Sequence, residues 1–180
     1  MTLYFLAIVL PQDLDFHILQ YKEWMLEHYG CKVALKSPAH ITLLPPFYLP
    51  QEMEKNLLDD LLAIASTISA FTITTQHFST FNQRTIFIEV APNKELNDAK
   101  KSVDVFFINK VDYKLKIDNR PFHPHITIAN RDLSKLFFEE AWAYFQEKKF
   151  IQSFTADGIS LLRHDGNKWD VVAEAPFFKS

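Results

Sequence analysis

The chain of 180 residues has one cysteine, four arginines, no surplus of positive charge and no long apolar run, and each shortage excludes something. Cys31 has no partner for an intrachain disulfide and stands in no metal-ligand spacing, which points to a reducing cytoplasm. A net charge of −3 provides no global positive field to draw the protein onto a long nucleic-acid duplex or an anionic membrane. With only Arg84, Arg120, Arg131 and Arg163 available, any phosphate must be held locally. The opening "MTLYFLAIVLP" is apolar, but it has no basic leader region and no small-residue cleavage site, and it is too short to span a bilayer. No other stretch is a membrane-span candidate.

What is there is bulk. Hydrophobic residues make up 48% and include seventeen phenylalanines, ample for the interior of one domain or of two small lobes sharing a core. The first stretch reads as a buried strand ended by Pro11. Leu14, Ile18, Tyr21 and Met25 then follow at helical spacing up to Gly30, the usual residue for a C-cap. A short strand from Ala39 to Leu44 is closed by Pro45 and Pro46, and a second helix from Gln51 to Ile68 carries Met53, Leu57, Leu61, Ile64 and Ile68 as one stripe. The segments 71–78 and 85–90 are β-branched and aromatic and read as paired antiparallel strands. Asn93 caps a third helix with Leu96, Ala99, Val103 and Phe106 on one face, and a polar, irregular connection from Asn109 to Pro124 follows. A fourth helix from about Leu133 to Lys148 turns Leu133, Phe137, Ala141, Trp142 and Phe145 inward, and Asp165-Gly166 marks a closing hairpin.

Within this frame the tripeptide His-Ile-Thr occurs twice, in "SPAHITLLPPF" (37–47) and "FHPHITIAN" (122–130). Seven histidines and ten threonines placed at random give about 0.4 His-x-Thr triplets in a chain of this length. Two copies sharing the middle Ile, a following aliphatic residue and an upstream Pro indicate a repeated unit, offset by about 85 residues. A duplication of this kind folds as two similar lobes related by a pseudo-two-fold axis, which brings equivalent strands to a shared cleft and sets His40 opposite His125.

Side chains two apart on a strand share a face. His40 and Thr42 therefore point one way while Ile41 and Leu43 anchor the strand, and His125 and Thr127 repeat this with Ile126 and Ile128. Two imidazoles can take and give protons near neutral pH, and two hydroxyls can donate to non-bridging phosphoryl oxygens, which suits a phosphodiester and calls for no metal. A two-histidine metal site is the alternative and would need a third ligand such as His123. A non-catalytic binder of a nucleotide or RNA end, using the same cleft, is a second reading. His17, His28, His77 and His164 carry no assigned role, and Cys31 reads as a buried structural thiol.

At these residues the chain resembles the 2H phosphoesterase superfamily, whose signature is two His-x-Thr-aliphatic motifs half a chain apart. "HITLLPPF", "RPFHPHITIA" and the closing "ISLLRHDGNKWDVVAEAPF" look like its bacterial 2′-5′ RNA ligase branch, which includes RNA 2′,3′-cyclic phosphodiesterases. The resemblance implies an α+β fold over residues 1–180, a single domain of two lobes with antiparallel sheets lining a central cleft and helices outside. It implies a metal-independent, cofactor-free enzyme acting on a small cyclic phosphate, a nucleotide or an RNA end, expected as a cytoplasmic monomer. It casts His40 as proton donor to the leaving ribose oxygen, His125 as the base that activates water, and Thr42 and Thr127 as phosphate ligands. Several relatives carry an arginine five residues after the second histidine; here that place holds Asn130, and Arg131, one place later, is the expected phosphate-binding cation. The first motif continues as Leu-Pro-Pro-Phe where the best-studied ligases have Phe-Leu-Gly.

Overall fold

The computed structural model describes residues 1–115 and 120–178. Eight strands and four α-helices are assigned among them: β1 (Thr2–Val9), α1 (Gln12–Tyr29), β2 (His40–Leu49), α2 (Glu54–Ala65), β3 (Phe71–Phe81), β4 (Thr85–Val90), α3 (Lys94–Ile108), β5 (His125–Ala129), α4 (Lys135–Phe145), β6 (Ser153–Ala156), β7 (Gly158–His164) and β8 (Trp169–Pro176). They form two four-stranded sheets, ordered β2-β1-β7-β8 and β5-β4-β3-β6, with every neighbouring pair antiparallel. The fold is the expected α+β one with duplicated halves: β1-α1-β2 and β4-α3-β5 are each a strand, a helix and an edge strand that returns beside the first.

The lobes are not the two halves of the sequence. The C-terminal hairpin β7-β8 joins the N-terminal strand β1, and β3 and β6 complete the other sheet. The helices cross over as well. α1, which links β1 to β2, packs on β5 of the opposite sheet, while α3 packs on β2. A single buried cluster therefore runs from Tyr4, Leu6 and Ile8 through Ile41 and Leu43 to Ile86, Ile88, Ile126 and Ile128. At about 25 cal/mol per Å² of apolar surface removed from water, this shared burial is the main force holding the two sheets together.

Several element boundaries depart from the sequence reading. The first His-Ile-Thr strand does not stop at Pro45 but continues to Leu49. It can do so because β2 is an edge strand, and the register slips between Tyr4↔Phe47 and Leu6↔Leu44, so both prolines lie in a bulge where no ladder N–H is required. The second helix begins at Glu54, residues Gln51–Met53 forming a 3₁₀ turn. In α3 the inward residue is Phe107 and not Phe106, and in α4 it is Phe138 and not Phe137, which is 43% exposed. Adjacent phenylalanines sit about 100° apart on a helix, and only tertiary packing selects between them. β6, absent from the sequence reading, has only four residues and pairs with β3. Of the connection from Asn109 to Pro124, Val111–Tyr113 form a 3₁₀ turn, and residues 116–119 lie outside the described residues.

Two expected caps are present. Gly30 takes a left-handed φ of 69°, and its N–H and that of Cys31 close on the carbonyls of Leu26 and Met25. Asn93 Oδ1 accepts the N–H of Leu96 at 2.8 Å while its Nδ2 donates to Thr72 O at 2.7 Å, tying α3 to β3. Asn93→Ala is expected to destabilise the protein by about 1 kcal/mol or somewhat more, since a cap and an inter-element bond are lost together. Urea unfolding measures this, and an unchanged midpoint would show that the cap contributes nothing.

Candidate active site

The edge strands β2 and β5 belong to different sheets yet come within 8 Å of one another between Cα atoms. Each sends alternate residues into the core and the others to the opposite face. His40, Thr42, His125 and Thr127 all line one cavity of about 250 Å³, with Phe5, Pro46 and Trp169 on one side and Val33, Ala34, Ser37, Asn130 and Arg131 around the rest. All five residues expected from the sequence, Arg131 included, meet at this cavity.

Both imidazoles are held the same way. His40 Nδ1 lies 2.7 Å from the carbonyl of Pro38, and His125 Nδ1 lies 2.8 Å from the carbonyl of His123. A carbonyl oxygen only accepts, so Nδ1 of each ring carries the proton and Nε2 is the nitrogen free to exchange one. The rings are seated on aromatic surfaces. His40 packs 4.9 Å from Phe5, which is itself edge-on to Trp169 at 4.5 Å. His125 lies edge-on to Phe81 at 5.1 Å, and Phe81 stacks on Phe87 at 4.1 Å. Phe5, Ala7 and Leu162 form a small apolar cluster under the cavity, on the face of the first sheet away from the main core.

This setting disfavours charge on both rings. Burial pushes His40 down from its ordinary 6.5 to about 4, opposed by the hydrogen bond to Pro38 and reinforced by the nearby Lys22 ammonium and, at a pH low enough to protonate it, by His125. Burial also lowers His125, opposed by its bond to His123 O. Both rings are therefore neutral at pH 7.

Part of the cavity wall comes from two loops joined by hydrogen bonds. Asp132 Oδ2, just after β5, accepts the N–H groups of Lys32 at 2.6 Å and Val33 at 2.8 Å, which fixes the Val33–Ala34 wall to the Asn130–Arg131 wall. Asn130, which lines the cavity, accepts a hydrogen bond from Thr85 Oγ1 at 3.2 Å through its Oδ1. Arg131 is exposed at the rim, its own carbonyl held by Arg84 at 3.4 Å.

Other candidates are not brought in. His123 Nε2 is 3.5 Å from Glu89, which also holds His77 at 2.7 Å, and neither histidine lines the cavity. Among the described residues no group of three or more His, Cys, Asp or Glu side chains is arranged to hold a metal ion. His17 and His28 are exposed on α1, and His164 lies against Trp169 at 4.9 Å. Cys31 is buried, and burial together with the Asp132 carboxylate pushes its thiol up to about 11, so it is no nucleophile. Among the described residues no helix is long and apolar enough to cross a membrane. Phe5 and Trp169 were not expected at the site, because nothing local distinguishes a cavity-lining aromatic from a core one, whereas Pro46 and Asn130 belong to the motif flanks already singled out.

Titrating the ring Cε1–H signals by NMR is expected to place the His40 midpoint near 4 and that of His125 below 6.5. Because the unfolded chain binds protons on these rings that the folded cavity refuses, stability is lost as pH falls from about 6.5 toward 4. That slope should be shallower in His40→Asn. A His40 midpoint at or above 6.5 would contradict the burial argument.

The sequence profile described as the 2′-5′ RNA ligase superfamily matches residues 11–168. Crystal structures that share the fold include E. coli LigT complexed with 3′-AMP (20% identity, TM-score 0.71, 99% of each chain covered). TT0787 of Thermus thermophilus (18%, 0.70, 98% of each) and a protein described as a phosphoesterase (20%, 0.70, 99% of each) are also similar. At these identities the likeness is one of fold. A comparison with curated proteins finds no significant match.

Proposed function

Since the chain belongs to the 2′-5′ RNA ligase superfamily, we propose that it is a phosphoesterase that opens 2′,3′-cyclic phosphates of RNA ends or nucleotides by two-histidine acid/base catalysis, without a metal. The observation that carries this reading is the pair of His-x-Thr strands lining one cavity with matching Nδ1 hydrogen bonds. The likeness in fold to E. coli LigT, solved with 3′-AMP and with phosphate, supports a nucleotide phosphate as the ligand.

In the hydrolytic direction the neutral Nε2 of one imidazole takes a proton from water as its oxygen attacks phosphorus. The Nε2–H of the other, charged imidazole gives a proton to the ribose 3′ oxygen as the P–O3′ bond breaks, leaving a 2′-phosphate. Thr42 and Thr127 hydroxyls donate to the non-bridging oxygens, and Arg131 supplies positive charge at the rim. Phe5 and Trp169 offer an apolar wall to a base or ribose.

One of two neutral rings must charge before it can act as acid. The negative phosphate raises the pKa of the imidazole it approaches, so ligand binding brings a proton with it. The family pattern makes His40 the acid. Burial lowers both rings, and the one nearer the bound phosphate is the one whose charged form the anion favours.

Incubation with 2′,3′-cyclic nucleotides and cyclic-phosphate-ended oligonucleotides, with chelator present, is expected to yield 2′-phosphates by phosphorus NMR. His40→Ala and His125→Ala are each expected to lose on the order of 10²-fold or more in kcat with the fold retained by circular dichroism. Saturable binding of a 2′-phosphate nucleotide with no conversion of any cyclic substrate between pH 5 and 9 would identify a binding protein and overturn the enzyme reading.

A further inference from the structure

Lys22 is 3% exposed, on the α1 face that also buries Leu14, Ile18 and Met25. It is no part of the expected apolar face through Leu14, Ile18, Tyr21 and Met25, on which Tyr21 packs partly buried against the core with its ring 5.1 Å from Phe78. A buried ammonium is costly unless it is well partnered, so its placement calls for a reason. Its Nζ donates to the carbonyl of Ser37 at 3.0 Å. Two turns earlier on the same helix, Asp15 Oδ1 accepts the N–H of Ala39 at 2.7 Å.

These two contacts bracket Pro38, whose carbonyl accepts the Nδ1–H of His40. Ala39 O in turn accepts the N–H of Leu10 at 3.0 Å, and Pro38 has no N–H to satisfy. From Ser37 O to Ala39 O, every backbone polar group before His40 is therefore committed: to Lys22, to His40 itself, to Asp15 and to Leu10. The segment has little freedom to turn the Pro38 carbonyl away from the ring.

We propose that Lys22 is a positioning residue for His40: with Asp15, it fixes the Ser37–Ala39 segment that orients the imidazole, and its charge acts on that ring. The inference rests on the reading of His40 as a proton carrier. The second motif is built differently. His123, which supplies the carbonyl for His125, is exposed and reaches Glu89, so the two histidines stand in unlike fields.

The charged and titratable groups around the His40 ring are Lys22 and Asp15 of α1, His125 of β5, and Arg131 at the rim. Burial lowers Lys22 to about 8, opposed by the Asp15 carboxylate, so Lys22 is charged at pH 7. Its charge and the burial of His40 act in the same direction, keeping the ring neutral until an anion enters.

The test is NMR titration of the His40 ring in the ligand-free full chain, with its tautomer read from the ring ¹⁵N shifts, in wild type, Lys22→Met and Lys22→Gln. Both variants remove the charge and should raise the His40 midpoint by about half a pH unit or more. Lys22→Gln keeps a donor for Ser37 O and should keep the Nδ1–H tautomer dominant, whereas Lys22→Met should mix the tautomers. If Lys22→Met does not fold, Lys22→Gln decides through the midpoint alone. A folded Lys22→Gln with an unshifted His40 midpoint overturns the proposal. The titration needs no substrate, so a shifted midpoint in a protein without turnover would refute the proposed function and not this inference. An unshifted midpoint in an active enzyme would do the reverse.

Discussion

Two hydrogen bonds, each from an imidazole Nδ1–H to the backbone carbonyl two residues upstream, set what the rest of the structure has to achieve. A bond of this kind decides which nitrogen is left to do chemistry. It survives only if the donating strand and the upstream segment keep a fixed relation. β2 and β5 are edge strands, and a strand end at a sheet edge has no ladder on its outer side to hold it. The protein supplies that hold with side chains: Asp15 and Lys22 before His40, and the Asp132 bridge between two loops that form part of the cavity wall.

The exchange of helices between lobes serves the same end. With α1 on β5 and α3 on β2, each His-x-Thr strand is pressed into place by the helix that belongs in sequence to the other repeat. Neither lobe can move without disturbing the packing of both. Under the proposed acid/base reading, proton transfer between two rings and one phosphate would tolerate errors of only fractions of an ångström, and a cleft between loosely tethered lobes would not supply that precision. The neutral state of both rings follows from the same burial. Seated against aromatic rings and withdrawn from solvent, each imidazole is penalised for carrying charge.

Much of this was legible in the chain. Period-two patterning placed His40, Thr42, His125 and Thr127 on one face of two strands, Asn93 and Gly30 marked caps, and Asp165-Gly166 marked the closing hairpin. What misled was local: Pro45 and Pro46 read as a terminus because a bulge opposite Phe5 cannot be seen in one strand alone, and the two Phe-Phe pairs gave no sign of which ring faces inward. β6 was too short to show a period.

The sequence by itself determined the residue types of the candidate site and their common face, because both follow from covalent spacing and the alternation of a strand. It also determined the duplication, since a repeated motif is a property of the chain. Tertiary structure alone decided that the C-terminal hairpin completes the first sheet, that Phe5, Trp169 and Asn130 line the cavity, and that a lysine lies buried against the segment before His40. Those features depend on contacts between residues distant in the chain, where no local pattern distinguishes a lysine in solvent from one whose ammonium has found the carbonyl of Ser37.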